Sequence, residues 1–343
     1  MKQLKNFVLH AALTAAVMTA GTAGATTKTV ADNINTVGSQ PVTFLSGSNK
    51  VAANLYLPEG FKTGEKYPAI VVSHPWGGVK EQTAGLYAQK LAQQGFVTLA
   101  YDASHYGESE GQPRDYEDPA VRLRDIRSAV CFLSNRPEVN SQEIGSLGIC
   151  AGGGYALHEA QTDFRVKAVA AVVPYDIGGA ARTGISGSPV TPEQLKKTLE
   201  AVAQEWTDIA DGRQPKVFKL LPDKKDWTAQ TDDFTKEAYS YYRMPRGAHP
   251  NATNQFHFGS VGLHAGYYPL THMDQISPRP VLLIAGEKAE TRKFSEEAYR
   301  NAAEPKELVI VPGATHFAMY DKPEFVEPNV KKLADFFRNG LTK

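Results

Sequence analysis

Short apolar segments alternate with amphipathic segments along most of the chain, a pattern that predicts strands followed by helices. After a hairpin at 41–45 and 51–57, buried strands are predicted at 67–73, 96–101, 144–149, 166–173, 280–285 and 307–311. Helical patterns follow at 82–94, 118–133, 155 onward, 293–302 and 323–341. Buried strands joined by helices indicate the α/β class, with a mostly parallel, doubly wound sheet. Ligands bind such a sheet at the carboxyl ends of its strands.

Residues 177–275 interrupt this alternation. A helix is predicted at 191–209, and an aromatic, glycine-rich stretch runs from 227 to 268. We interpret the segment as an insertion that lids a site, because long irregular segments in compact domains are usually functional. Four of its aromatic residues are predicted to line an apolar substrate pocket: Tyr241, Tyr242, Phe256 and Tyr267. The alternative is that they form a small core of the insertion itself.

The stretch 148–154 reads as a strand, a sharp turn and a helix, with Cys150 where the chain reverses. Gly148 and Gly152 flank the turn, which leaves little room for Cβ atoms. This is the nucleophile-elbow pattern with cysteine in place of serine. The N–H groups of the helix that begins there should lower the pKa of the thiol and stabilise an oxyanion. A phosphate-binding turn is the alternative, but the stretch has neither the P-loop ending nor the dinucleotide glycine order.

A thiol nucleophile needs a base, and the base needs a group that fixes its tautomer. His316 is the predicted base, because it lies in the turn after the strand 307–311. Glu290 is the first choice for the acid, since it follows the preceding strand and gives the chain order nucleophile, acid, histidine. Glu287 and Asp176 are the alternatives, and each of the three could instead be a solvated carboxylate.

An oxyanion hole needs two backbone N–H groups. Ala151, directly after the nucleophile, is predicted to supply one of them. Trp76, in the loop 74–78 after the strand 67–73, is predicted to supply the other. Its indole should also wall the acyl pocket, although simple packing would equally explain a tryptophan there.

The composition narrows the function classes. The chain has 343 residues, 42% of them hydrophobic and 22% charged, which suffices for a large single-core domain. Lysine plus arginine equals aspartate plus glutamate, at 37 each, and no basic stripe indicates nucleic-acid binding. The histidines of the insertion lack metal-ligand spacing, so no metal site is predicted.

The N-terminus is typical of a targeting segment. Lys2 and Lys5 precede an apolar run at 7–20, and Ala23-Gly24-Ala25 fits a cleavage site. Residues 1–25 are therefore predicted to be a signal peptide, and the mature protein to be periplasmic or secreted. A membrane anchor is the alternative. No apolar run in the mature part is long enough to cross a bilayer.

Two cysteines are present. We expect Cys131 to be buried and inert in a helix and Cys150 to be a lone reactive thiol. A disulfide is the alternative in an oxidising compartment, but the geometry that a bridge requires is narrow.

Four motifs occur in the order found in α/β-hydrolases, and the chain resembles that superfamily over residues 41–341. They are the loop His74-Pro75-Trp76-Gly77-Gly78, the turn Asp102…Gly107-x-Ser109, the elbow at Cys150 and the Gly-x-x-His turn at His316. The amino-acid sequence around the elbow resembles that of the dienelactone-hydrolase-like branch, whose members use cysteine. It also resembles a bacterial group related to fungal polyketide transferases. We therefore predict one α/β-hydrolase domain over 26–343, in which residues 177–275 form a cap insertion. Two departures are Ala289, where the branch has aspartate, and the long aromatic insertion.

Together these features predict an exported hydrolase with a Cys150–His316–Glu290 triad. It would attack an ester, thioester or lactone of a small-molecule acyl substrate through an acyl-thioenzyme, with no cofactor. An acyltransferase that uses the same triad is one alternative. A non-catalytic binding protein on the same fold is the other. The sequence does not predict the natural acyl group or the oligomeric state.

Overall fold

The computed structural model describes residues 39–341, so the predicted signal peptide lies outside the described residues. Twelve strands occur in this range. They are β1 (Ser39–Ser46), β2 (Asn49–Tyr56), β3 (Tyr67–Ser73), β4 (Val97–Tyr101), β5 (Val139–Ile149), β6 (Val166–Val172), β7 (Gly184–Ile185), β8 (Ser188–Pro189), β9 (Val217–Lys219), β10 (Gln255–His257), β11 (Val281–Gly286) and β12 (Lys306–Val311). All six buried strands predicted from apolar runs are present, with shifts of one or two residues at most ends and a longer β5.

Eight strands form one sheet in the order β1-β2-β4-β3-β5-β6-β11-β12. The hairpin β1–β2 is antiparallel and joins β4 in antiparallel register, whereas the other five neighbouring pairs are parallel. The central strands are buried on both faces, as expected where helices cover a parallel sheet. The predicted α/β-hydrolase fold, with its mostly parallel doubly wound sheet, is confirmed.

Ten helices accompany the strands in the described range. They are α1 (Thr83–Ala92), α2 (Pro119–Ser134), α3 (Ala151–Thr162), α4 (Ile177–Thr183), α5 (Pro192–Ala210), α6 (Asp233–Tyr242), α7 (Ser260–Ala265), α8 (Arg292–Asn301), α9 (Ala318–Asp321) and α10 (Pro323–Leu341). The β3–α1–β4 crossover runs in the opposite direction along the sheet from the crossovers through α2, α3 and α8. Because such crossovers are right-handed, α1 lies on the opposite face from those three. It packs there against α10, whereas α2 packs against α3.

The reversal of strand order falls at β3, which lies between β4 and β5. The loops that leave the carboxyl ends of β3 and β5 therefore diverge at a topological switch point, where ligands bind in open α/β sheets. The loop after β3 carries Trp76, and the turn after β5 carries Cys150.

The segment between β6 and β11 holds α4 to α7 and two small two-stranded sheets, β7–β8 and β9–β10. Helix α5 matches the helix predicted at 191–209, and Thr191 caps it with a reciprocal Gln194 capping box. The aromatic stretch that follows is partly regular, because α6, β10 and α7 lie within it. Within residues 39–341, none of the helices combines the length and the apolar character needed to cross a bilayer.

Both cysteines are free thiols. The prediction that Cys131 is buried is wrong, because its side chain lies on the exposed side of α2, with Arg165 Nη1 2.9 Å from the sulfur. An apolar residue type in a helical pattern does not by itself fix which side of the helix faces the sheet.

Candidate active site

Cys150 lies at the turn between β5 and α3, with φ 56° and ψ −124°. The two flanking glycines are required by close backbone contacts. A Cβ atom at Gly148 would lie 2.0 Å from the Gly152 carbonyl oxygen, and one at Gly152 would lie 2.3 Å from the Ser73 carbonyl oxygen. The structure therefore has the strained elbow geometry that holds a side chain above the strand ends.

The Cys150 thiol is nearly buried, at 9% exposure. Burial raises the pKa of this thiol to about 11, although the Tyr320 hydroxyl and the backbone N–H groups of Ala151 and Trp76 hydrogen-bond the sulfur and act in the opposite direction. The sequence predicted a lowered pKa from the helix N-terminus. That direction is wrong because desolvation outweighs the N–H groups, so the resting thiol is protonated.

The two N–H groups at the sulfur come from the residues predicted for the oxyanion hole, Trp76 and Ala151. The loop that carries Trp76 is held from behind by His74. His74 Nδ1 lies 2.7 Å from the Pro75 carbonyl oxygen, and its Nε2 accepts the Ala103 N–H at 2.9 Å. The buried Arg122 donates to the His74 carbonyl oxygen at 2.6 Å. These contacts fix the direction of the Trp76 N–H before a substrate arrives, which an oxyanion hole requires.

His316 lies in the turn after β12 and is fully buried. Its Nδ1 is 2.7 Å from the Thr291 hydroxyl, and its Nε2 is 3.1 Å from the Tyr320 hydroxyl. Burial lowers the pKa of this imidazole to about 3, so the ring is neutral and able to accept a proton. Tyr320 in turn hydrogen-bonds the Cys150 thiol.

Within the described residues, the hydrogen-bond partners of the His316 ring are hydroxyl groups, and no carboxylate is among them. Glu290, the predicted acid, is half-buried, and its Oε2 has no hydrogen-bond partner. Instead, the turn that begins at Gly286 directs toward the histidine the side chain of Thr291, the residue after Glu290. The assignment of Glu290 as the partner of His316 is therefore corrected to Thr291, one residue further along the loop.

The two alternative acids also serve other contacts. Glu287 Oε2 accepts the backbone N–H of Gly313 at 2.8 Å. Asp176 caps α4 through the Gly179 N–H at 2.8 Å and lies 3.8 Å from Arg182. Neither carboxylate faces the histidine ring.

A pocket with an empty volume of about 550 Å³ opens above the thiol. Its lining is mostly apolar and comes from the loop after β3, the elbow, the segment after β6, the insertion and the turn around α9. The lining residues are Trp76, Gly77, Cys150, Tyr175, Leu220, Leu221, Phe234, Ala238, Tyr242, Arg243, Ala252, Asn254, Phe317 and Tyr320. Eight of these fourteen residues lie between positions 220 and 254, so the insertion forms much of the wall around Cys150.

Of the four aromatic residues predicted to line the pocket, Tyr242 does so. The prediction is wrong for the other three, which pack against aromatic neighbours of the core. Tyr241 packs against Tyr242 and Tyr320 at centroid distances of 5.0 and 5.1 Å. Phe256 packs behind the Trp76 indole at 5.4 Å.

Tyr267, the last of the four, stacks on His158 at 5.0 Å. The three aromatic residues that do not line the pocket are each less than 9% exposed, so they belong to the packed interface between the insertion and the rest of the domain.

Three contributors were missed from the sequence: Thr291, Tyr320 and Arg122. Tyr320 follows His316 by four residues, which is the spacing of neighbours on a helix surface, so a signal existed. Thr291 carries no comparable signal, because the chemistry of a triad predicts a carboxylate after β11 and not a hydroxyl group. Arg122 reaches the oxyanion loop from α2, and its spacing in sequence carries no signal of that contact.

Three carboxylates converge near the loop after β4: Glu81, Asp102 and Glu108. The Lys80 ammonium group lies among them, at 2.6, 2.9 and 2.7 Å respectively. The lysine supplies the positive charge that a cation would bring, so this cluster is an ion-pair network that anchors the loop after β3.

Comparison with known proteins identifies one protein family and several relatives of this chain. A profile of the dienelactone hydrolase family matches residues 51–203. The Pseudomonas aeruginosa protein PA2218 is 44% identical over 298 residues, which are 85% of this chain and 77% of that protein. Its crystal structure matches with a TM-score of 0.81 at 43% identity, over 88% of this chain and 93% of the other.

Two further relatives cover most of the chain. The Escherichia coli protein YcjY is 36% identical over 305 residues, 88% of this chain and 98% of that protein. The thiohydrolase aneE of Aspergillus aculeatus is 34% identical over 243 residues, 69% of this chain and 73% of that protein. The profile match, the relatives of this identity and coverage, and the fold together show that the chain belongs to the dienelactone hydrolase family of α/β-hydrolase enzymes.

Proposed function

We propose that this hydrolase cleaves an ester, thioester or lactone with Cys150 as its nucleophile. The observation that carries the proposal is the surroundings of the sulfur, which receives two backbone N–H groups, from Trp76 and Ala151. N–H groups aimed at one point above an elbow stabilise the charge that develops when a nucleophile attacks a carbonyl carbon. The relative named as a thiohydrolase supports a thioester as one substrate type.

In the proposed reaction, the sulfur forms a bond to the carbonyl carbon while the thiol proton passes to His316. The carbonyl oxygen takes up the negative charge and accepts hydrogen bonds from Trp76 and Ala151. The tetrahedral intermediate collapses, the bond to the leaving group breaks, and His316 returns the proton to the departing oxygen or sulfur. Water then attacks the acyl-thioenzyme with His316 again as base, and the acid product and the thiol are released.

The pocket supports an apolar acyl group. Leu220, Leu221, Phe234 and Phe317 line the same pocket as the thiol, whereas the charged side chain of the lining, Arg243, is exposed. An apolar wall stabilises an acyl chain by removing apolar surface from water.

The test is a rapid-mixing assay with activated esters and thioesters. We expect a burst of leaving group equal to the enzyme concentration, with a mass increase on the peptide that contains Cys150. Cys150→Ala should abolish the burst, whereas Cys131→Ala, at the exposed second thiol, should leave it unchanged. Wild-type turnover in Cys150→Ala would contradict the proposal. Turnover that depends on an added alcohol or amine would identify an acyltransferase, and absence of any reaction at the thiol would favour a binding protein.

A further inference from the structure

Tyr320 makes three side-chain hydrogen bonds, and each goes to a group at the active site. Its hydroxyl lies 3.1 Å from His316 Nε2. It also hydrogen-bonds the Cys150 thiol and the Tyr242 hydroxyl. The side chain is fully buried and lines the pocket above the elbow. A buried tyrosine needs a partner for its hydroxyl group, but a structural role would be satisfied by one carbonyl oxygen.

The backbone around Tyr320 is held independently of this hydroxyl. The Thr83 hydroxyl donates to the Tyr320 carbonyl oxygen at 2.9 Å, and the Tyr87 hydroxyl donates to the Met319 carbonyl oxygen at 2.8 Å. Both donors belong to α1, so α9 is tied to a helix that packs on the sheet. The Tyr320 ring is further enclosed by Tyr241 and Phe317, both at centroid distances of 5.1 Å. These contacts fix the position of the Tyr320 hydroxyl group.

We propose that Tyr320 is a catalytic residue whose hydroxyl group carries the proton from the Cys150 thiol to His316 during attack on the substrate. This inference rests on the proposed function, in which Cys150 is the nucleophile. It adds a group that the expected triad lacks, and it places that group between the nucleophile and its base.

The proton transfer balances along one chain of hydrogen bonds. As the sulfur bonds to the carbonyl carbon, the S–H proton moves to the Tyr320 oxygen, and the Tyr320 O–H proton moves to His316 Nε2. In the tautomer that the relay requires, His316 donates its Nδ1–H to the Thr291 hydroxyl 2.7 Å away, so the ring becomes a cation with both nitrogens hydrogen-bonded. The reverse movement returns the proton to the leaving group. Tyrosine begins and ends each step neutral.

Two properties of the site support such a relay. Burial keeps the thiol protonated and raises its pKa, so a proton has to leave the sulfur at the moment of attack. The hydrogen-bond partner of His316 Nε2 is the tyrosine oxygen, so the shortest connected route from the thiol to the base runs through it.

The first test replaces Tyr320 with phenylalanine, which keeps the ring and removes the hydroxyl group. We expect the burst rate with an activated ester to fall by about 10²–10⁴-fold, the range for losing a proton-transfer group. The rate of Cys150 alkylation by iodoacetamide should fall as well, and its pH profile should move to higher pH. KM should change by less than about threefold, because the ring still fills the pocket wall.

The matched control is Tyr101→Phe. It removes another fully buried hydroxyl group, which bonds the Ser73 hydroxyl at 3.0 Å, and it leaves the proposed relay and the contacts that hold α9 intact. We expect its burst rate to stay within about threefold of wild type. Equal losses in the two variants would mean that the effect is structural and would overturn the proposal.

A measurement on the wild-type enzyme does not depend on whether the variant folds. In mixtures of H2O and D2O, two protons in flight make the burst rate a curved function of the deuterium fraction, whereas one proton makes it linear. A linear plot, or a Tyr320→Phe enzyme with wild-type burst and alkylation rates, overturns the relay. If Cys150→Ala is inactive in the same assay, only the relay has failed. If Cys150→Ala is active, the proposed function itself has failed.

Discussion

At the scale of single residues, the site depends on which polar atom reaches each ring nitrogen of His316. We expect His316→Ala to lower kcat by about 10²–10⁴-fold, because it removes the base that takes the thiol proton. The variant should keep the wild-type elution volume and circular dichroism spectrum. Wild-type turnover in a folded His316→Ala enzyme would mean that another group is the base.

Thr291 and Glu290 offer a matched pair of neighbours. Thr291→Val removes the hydrogen bond to Nδ1 but keeps the shape of the side chain, so we expect kcat to fall about 10-fold, the value of one hydrogen bond of about 1.4 kcal/mol. Glu290→Gln should change kcat by less than about twofold, because its carboxylate does not reach the histidine. Steady-state kinetics measure kcat for both variants. A larger loss of kcat in Glu290→Gln than in Thr291→Val would restore Glu290 as the acid.

At the scale of elements, the turn from β5 into α3 requires glycine where two backbones approach. Gly148→Ala would place a Cβ atom 2.0 Å from the Gly152 carbonyl oxygen, and neither backbone can move without moving the elbow. We expect a loss of about 1–3 kcal/mol in the free energy of unfolding, measured by urea denaturation, and a loss of activity. Gly266→Ala is the control, since its nearest neighbour is at 3.7 Å and its φ is −83°. Equal stability of the two variants would contradict this account of the elbow.

The insertion is expected to select the acyl group through the residues that line the pocket rather than through its aromatic content. Leu221→Ala shortens a side chain of the wall and so enlarges the pocket. The ratio of kcat/KM for long acyl chains to that for short ones should therefore rise by about 10-fold, the value of one or two methylene contacts. Leu270→Ala removes an equally buried leucine outside the pocket lining and should leave the chain-length profile unchanged. A flat profile for folded Leu221→Ala would argue against a lid that sets specificity.

At the scale of the whole molecule, buried neutral histidines link stability to pH. Burial lowers the pKa of both His264 and His316 to about 3, whereas an unfolded histidine titrates near 6.5. Between these values the unfolded state binds more protons, so the free energy of unfolding falls as pH decreases from about 6.5 toward 3. Burial raises the pKa of Asp176 to about 6, which acts in the opposite direction, so the comparison needs a variant. His264→Asn should reduce the pH slope of the unfolding free energy by up to about one proton. An unchanged slope would show that His264 titrates normally when folded.

The cellular location of the protein is also a property of the whole chain, because it depends on the N-terminal segment. We propose that residues 1–25 are removed during secretion, because a basic start, an apolar run and a small-x-small site occur in that order. Mass spectrometry of the protein recovered from the periplasm or the medium should then show Thr26 as the N-terminus. Full-length protein retained in the cytoplasm would contradict the proposal.

The sequence by itself determined the fold and the position of the central residues along it. Apolar runs of strand length, separated by helical patterns, predict the parallel sheet because burial on both faces demands apolar residues at consecutive positions. Gly148 and Gly152 around Cys150 predict the elbow, since only glycine leaves the room that such a turn needs. The resemblance carried by those motifs is confirmed by the family match. These signals are local, so they can be read from a single stretch of chain.

The tertiary structure alone decided which side chains meet. Thr291 rather than Glu290 reaches His316, and neighbouring residues in one turn differ in direction for reasons of backbone path that residue type does not encode. The thiol pKa is raised rather than lowered because desolvation depends on everything packed around Cys150, including an insertion that joins the chain after the elbow. Tyr241, Phe256 and Tyr267 are aromatic like Tyr242, but only the packing of the insertion against the sheet determines which of them faces the pocket. Contacts between distant segments depend on the whole arrangement, and no spacing along the chain specifies them.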